Sequence, residues 1–191
     1  MSILAVGSIA FDSIATPSGR ADNVLGGSAT YFSLAASYFT PVRVVAVVGE
    51  DFTAEHENVF RKRDVDIRGI EHAPGKTFRW GGQYHDNLNE AKTDFTELNV
   101  FERFQPRIPP EFADTQFLFL GNIHPHLQAA VRLEMDGVKL TAGDTMNYWI
   151  QGTRNELIET LKLINVLLIN DTEAKMLAGD SSVPRAAGSN S

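Results

Sequence analysis

Short apolar runs and amphipathic stretches alternate along most of this chain. Ile3–Ile9 (ILAVGSI), Val42–Val48, Thr115–Leu120 (TQFLFL), Lys139–Ala142 and Val166–Ile169 are short and rich in branched or aromatic residues. Runs of that length and composition read as buried strands. Helical spacing falls between them. After Gly26-Gly27, Ser28 stands as an N-cap, and Ala29, Leu34, Ala35, Ala36 and Phe39 give a narrow apolar face that Pro41 closes. Thr53–Arg63 reads as a helix capped by Thr53, with Val59 and Phe60 inward, and Val65–Ile70 as extended chain. His124–Glu134, Asn155–Leu163 and Thr172–Ala178 are helical, the last closed by Gly179. This alternation predicts an α/β fold, a doubly wound, mostly parallel sheet with helices on both faces.

The pattern changes between residues 76 and 98. TFRWGGQYH alternates apolar and polar residues, DNLNE reads as a turn, and AKTDFTEL alternates again. That period predicts an antiparallel hairpin with one solvated face. The polar, turn-rich residues 15–24 (ATPSGRADNV) are expected to join it in a small β-layer, a natural lid or dimerisation surface. Pro106, Pro109 and Pro110 mark the connector back to the main sheet.

Composition narrows the function classes. The 17 basic and 24 acidic residues leave a formal charge of −7, which disfavours a non-specific nucleic-acid binder. There is no cysteine, so disulfides, thiolate metal sites and thiol nucleophiles are excluded. No apolar run approaches the roughly 18 residues that span a bilayer, so no membrane is expected as a partner and the expected location is the cytoplasm.

Polar groups recur where strands are predicted to end: Asp12, Gly49–Asp51, Asn122, Asp144 and Asn170–Glu173. In a parallel sheet these converge on one rim, where helix N-termini favour anions. Taken singly, each Asx residue is equally well explained as a helix cap. Gly75-Lys76-Thr77 superficially resembles a phosphate loop, but Ile70 occupies the position of the leading glycine. His124 and His126 lack the further ligands a metal site needs. Ser8, Ser13 and Ser28 lie in no nucleophile elbow. Trp80 and Tyr84 on the hairpin are placed either to stack on a ligand or to pack on the sheet.

Taken together, the strand with Asp12, LGGSATYFSLAASYF, VVAVVGEDF, VDIRGI, GKTFRW and LLINDTEAKMLAG resemble, in order and spacing, the PfkB or ribokinase-like carbohydrate kinases. The resemblance implies a ribokinase-like sheet with a small antiparallel β-lid, an incomplete domain over residues 1–179 with lid segments at about 15–24 and 76–98, and a tail or truncated helix at 180–191. It implies ATP and Mg²⁺ as cofactors and phosphoryl transfer to a hydroxyl of a sugar or nucleoside. Asp12, Gly26, Gly27, Arg79 and Trp80 would bind the acceptor; Asp144, Asn170 and Glu173 would lie at the phosphate site, with Glu173 near Mg²⁺ by way of water. Tyr31 stands where many sugar kinases of the family have an asparagine. The family's Gly-Ala-Gly-Asp segment, which carries the catalytic base, does not occur in these 191 residues, so no catalytic residue is identified and weak or absent turnover is expected. A non-catalytic binding or assembly module, homo-oligomeric through the lid or an exposed sheet, is the alternative; a repurposed hydrolase is the second.

Overall fold

A computed structural model describes residues 1–85, 91–182, 184 and 185. In chain order the elements are β1 (Ile3–Val6), β2 (Ala10–Thr16), β3 (Gly19–Gly26), α1 (Ser28–Ala36), β4 (Val42–Val48), α2 (Ala54–Arg61), β5 (Asp66–His72), β6 (Phe78–Tyr84) and β7 (Ala91–Glu97). They continue with β8 (Phe117–Leu120), α3 (Pro125–Glu134), β9 (Leu140–Asp144), α4 (Asn147–Gly152), α5 (Arg154–Leu161), β10 (Val166–Leu168) and α6 (Asp171–Ala178). Short 3-10 turns at Asn99–Arg103 and Pro110–Phe112 occupy the proline-marked connector.

The main sheet has the order β10-β9-β8-β1-β4-β5, and every neighbouring pair is parallel. Helices cover both faces, as the strand and helix alternation requires. On one face Phe60 and Ala29 pack with Ala5, Val42, Val44, Ala46 and Phe119. On the other, Val131 and Met135 of α3 and Phe104 and Phe112 of the connector pack on Leu4, Val6, Val45, Leu118 and Leu120. A smaller cluster of Ile150, Leu157 and Leu177 joins α4, α5 and α6.

The second sheet has the order β3-β2-β6-β7. Strands β2 and β3 pair antiparallel, as do β6 and β7, while β2 and β6 run parallel. The expected hairpin is therefore present, although its DNLNE residues lie outside the described ones, as does most of the 180–191 tail. Two adjacent glycines on β6 give its faces their shape. A Cβ on Gly81 would stand 2.2 Å from the Phe95 ring, and one on Gly82 would stand 2.4 Å from the Trp80 ring. Each glycine is thus covered by a ring that no larger residue would admit.

Several local expectations are corrected. Asp12 does not end the first strand. The chain leaves the main sheet at Gly7-Ser8 and runs on into β2, so Asp12 lies inside the second sheet. Gly27, at φ 96°, caps α1, and Ser28 is the first helical residue without a side-chain cap. The face of α1 turned inward is Ala29, Thr30 and Ser33, small residues that let the helix approach the sheet; Phe39 is 89% exposed. Phe32 stacks on Phe119 with ring centroids 3.7 Å apart. Phe60 of α2 is buried as expected, but Val59 faces outward. Helix α4 follows directly on Asp144, in a stretch with no clear apolar period.

Candidate functional site

Every strand of the main sheet points the same way, so the residues after β4, β8, β9 and β10 meet at one edge. Gly49, Asn122, Asp144 and Asn170 all stand there. The second sheet rises from this edge, because the chain enters it directly from β1 and returns through Gly26-Gly27 into α1.

Asp12, Gly26 and Gly27 form one unit. A Cβ on Gly26 would lie 1.9 Å from Asp12 Oδ2, so the carboxylate occupies the space a side chain would take. A Cβ on Gly27 would lie 2.4 Å from the Ser8 carbonyl oxygen, and its φ of 96° is one that L side chains rarely adopt. Burial raises the Asp12 pKa to about 6, against a smaller opposing effect of a hydrogen bond from the Gly27 N–H. Strand register places Trp80 beside Asp12. Trp80 meets Tyr84 edge to face, with centroids 6.5 Å apart. Tyr31, 57% exposed, completes the group: burial raises its pKa, and the neighbouring Asp12 and Tyr84 push it further the same way. The carboxylate thus sits against the glycine pair with Trp80 beside it, and Tyr84 and Tyr31 extend the aromatic group around Trp80.

Arg79 is taken elsewhere. It alternates with Trp80 along β6, is in register with the buried Phe11, and its guanidinium lies 5.8 Å from the Phe11 ring centroid. It donates to Asp51 Oδ2 at 3.2 Å. Asp51 also accepts from the Thr77 N–H at 2.7 Å and from Thr77 Oγ1 at 2.6 Å, and Thr77 Oγ1 accepts from the Gly49 N–H at 2.9 Å. Burial pushes the Asp51 pKa up, but these donors outweigh it and hold the carboxyl below its ordinary value. The Gly75-Lys76-Thr77 segment is therefore a root for β6 in the β4–α2 loop, and Arg79 fastens the second sheet to the main one.

Ser28 ties the acceptor side to the strand ends. Its Oγ accepts from the Ser8 N–H at 3.3 Å and from the Asn122 N–H at 3.0 Å. A Cβ on Gly7 or on Gly121 would come within 2.7 Å or 2.5 Å of that oxygen, so both strand ends are open for it. Asn122 in turn accepts from Trp149 Nε1 at 2.8 Å. Ser28 had a cap role in the sequence; its actual role needs two strands distant in the chain and leaves no local signal.

The acidic side is built differently. Burial raises the Asp144 pKa to about 8, with the charge of Glu173 adding to it. Its Oδ1 is buried without a hydrogen-bond partner among the described residues. Glu173 is itself raised, chiefly by burial and against a backbone hydrogen bond at Asn170. Asn170 and Glu173 form a capping box: Glu173 Oε2 accepts from the Asn170 N–H at 2.9 Å and Asn170 Oδ1 accepts from the Glu173 N–H at 2.8 Å. Among the described residues, Asp144 is thus a buried carboxyl without a cationic partner, held protonated by its burial and by the charge of Glu173. No group of three or more His, Asp or Glu side chains suited to hold a metal alone occurs among the described residues, His124 and His126 included. Two carboxylates short of a cation do suit Mg²⁺ as it is usually held, through waters and nucleotide phosphates.

This architecture is the ribokinase-like fold, and the chain resembles the PfkB/ribokinase-like kinases in sequence and in structure. It is 25% identical over 192 residues to the cytidine kinase of Thermococcus kodakarensis, an alignment that covers 98% of this chain and 68% of that protein. The nucleoside kinase of Methanocaldococcus jannaschii superposes with a TM-score of 0.75 at 17% identity, over 97% of this chain and 66% of that one. A putative ribokinase II of E. coli in complex with ATP and Mg²⁺ superposes with a TM-score of 0.75 at 16% identity, over 99% and 68%. The chain thus spans about two thirds of the length of the relatives it matches. No family model matches it. No helix among the described residues is long and apolar enough to cross a membrane.

Proposed function

We propose that this chain carries the acceptor-binding side and part of the phosphate side of an ATP-dependent kinase acting on a hydroxyl of a nucleoside or sugar. The observation that carries the proposal is the seating of Asp12 on Gly26 and Gly27 beneath Trp80 and Tyr84. A carboxylate raised to about 6 is still mostly ionised at neutral pH and accepts hydrogen bonds from the vicinal hydroxyls of a ribose. The three aromatic side chains around it favour an acceptor that also presents a flat ring, so a nucleoside is preferred to a free sugar. Tyr31, in place of the asparagine many sugar kinases have, supports the same preference.

On the other side, Asp144 and Glu173 would hold Mg²⁺ through water, and the ion would supply charge neutralisation for the nucleotide phosphates. Within these residues, Asp12 orients the acceptor, Arg79 and Asp51 fasten the lid that covers it, and Gly27 lets α1 start close against the Ser8 carbonyl while its N–H steadies Asp12. No residue here is assigned as the base that takes the hydroxyl proton, so binding is the property to test. A binding module is the second reading, favoured by the exposed Val166 and Leu168 on edge strand β10.

Calorimetry with a panel of nucleosides and sugars tests the proposal. A nucleoside should bind, and Asp12→Asn should weaken it by about 10- to 100-fold, the usual worth of a hydrogen bond to a charged group. Equal binding to wild type and Asp12→Asn would overturn the assignment of the acceptor site.

A further inference from the structure

A second cavity, of about 500 Å³, lies between the Asn99–Arg103 turn and α4, and it shares no lining residue with the acceptor pocket or the acidic rim. That is within the size range of small-ligand pockets, roughly 300–1,000 Å³. Phe101 and Phe104 line it from the connector, and Tyr148 and Trp149 from α4. The Trp149 ring is held in place: its Nε1 donates to Asn122, Tyr148 meets it edge to face at 4.7 Å, and His124 does so at 5.0 Å. Tyr148 nevertheless remains 63% exposed, an aromatic side chain that the fold holds without burying.

The polar lining narrows what fits. His124 Nδ1 accepts from the His126 N–H at 3.2 Å, so the neutral ring carries its proton on Nε2, as a donor. Glu102, Gln105 and Thr153 add acceptors and donors, and neither lysine nor arginine lines the cavity. A phosphate would find one acid, two histidines and no lysine or arginine there. A flat, uncharged ring with hydrogen-bonding edges finds both faces and partners.

We propose that this cavity binds a neutral aromatic heterocycle of nucleobase size, free or as a nucleoside, at a site distinct from the acceptor pocket. The inference stands apart from the kinase proposal, since neither Asp12, Asp144 nor Glu173 lines this cavity. The chain's two tryptophans make it testable, because Trp80 belongs to the lid and Trp149 to this cavity. In Trp80→Phe the remaining emission comes from Trp149 alone. Titration with adenine and with adenosine should quench that emission saturably, with free base and nucleoside similar. Tyr148→Ala in the same background should weaken binding by about tenfold, the order expected for loss of one base–aromatic stack. Asp12→Asn in that background should leave the quench intact, even if the acceptor proposal fails. Three results would overturn the site: no saturable quench with either compound, an unchanged affinity in Tyr148→Ala with its fold intact by circular dichroism, or loss of the signal in Asp12→Asn.

Discussion

The two sides of the candidate site hold carboxylates in opposite ways. Asp12 is enclosed by backbone and a ring: Gly26 vacates space for it, Trp80 stands beside it, and the Gly27 N–H offsets part of its burial. Asp144 faces another acid, Glu173, and keeps an oxygen unsatisfied. The first is, under the proposed function, the seat for an acceptor hydroxyl. The second is electrostatically unfinished, and a cation or protons must complete it. Position matters more than residue type here, since the same side chain is seated on a glycine pair on one side and, among the described residues, left with an unpartnered oxygen on the other.

The glycine pair offers the largest break in that contrast. Gly27→Ala sets a Cβ against the Ser8 carbonyl, which cannot move without β2, and imposes an unfavourable φ. A loss of about 3 kcal/mol or more is expected, combining backbone strain with a clash. Gly26→Ala meets only the Asp12 carboxylate, which can rotate away. It should unfold close to wild type yet lose acceptor binding as Asp12→Asn does. Thermal melts beside calorimetry on the two variants check this. Gly26→Ala binding normally would mean that the carboxylate's seat is incidental.

Next in size is Asp144→Asn, which tests the unfinished side. The folded pKa of Asp144 lies above its unfolded value, so the native state holds an extra proton between about pH 4 and about pH 8. Stability contributed in this way is full below that window and is lost as pH rises through it. Asp12 does the same over a narrower range, about pH 4 to about pH 6. In metal-free buffer Asp144→Asn should be more stable than wild type at pH 7, on the order of 2 kcal/mol after allowing for relaxation. It should keep only Asp12's share of the decline between about pH 4 and about pH 6, a shallower slope than wild type, and lose the decline between 6 and 8. Denaturant melts at several pH values measure both, and an unaltered pH profile would mean that neither burial nor the charge of Glu173 raises Asp144.

Much of this was legible from pattern, and what was not has a common cause. The parallel strands, their helices and the convergence of strand ends follow from local periods of hydrophobicity, which survive in any α/β sheet. ILAVGSI continues smoothly into AFDSI, so pattern alone puts Asp12 at a strand end; the change of sheet at Gly7-Ser8 depends on Ser28 and Gly121, far along the chain. Arg79 and Trp80 are neighbours in sequence and read as partners, whereas strand alternation sends one to Asp51 and the other to Asp12. Trp149 and Tyr148 carried no signal, because α4 has no room for a helical period. Contacts between distant segments, not local preferences, decided each of these.

The smallest effect separates two roles of one residue. Asn170 caps α6, and the resemblance also places it by the phosphates, so its removal alone cannot say which matters. Asn170→Ala should cost about 1 kcal/mol through the lost cap, a fall in Tm of about 2–4 °C for a chain of this size. Asn170→Ser keeps an oxygen for the Glu173 N–H and should recover most of that stability. It is shorter and lacks the amide, so a role toward nucleotide should not recover with it. The expected result is that Tm returns in the serine variant while stabilisation by ATP-Mg²⁺ does not. If ATP-Mg²⁺ stabilises the serine variant as much as wild type, the capping box alone accounts for Asn170, and the phosphate side of the site reduces to Asp144 and Glu173.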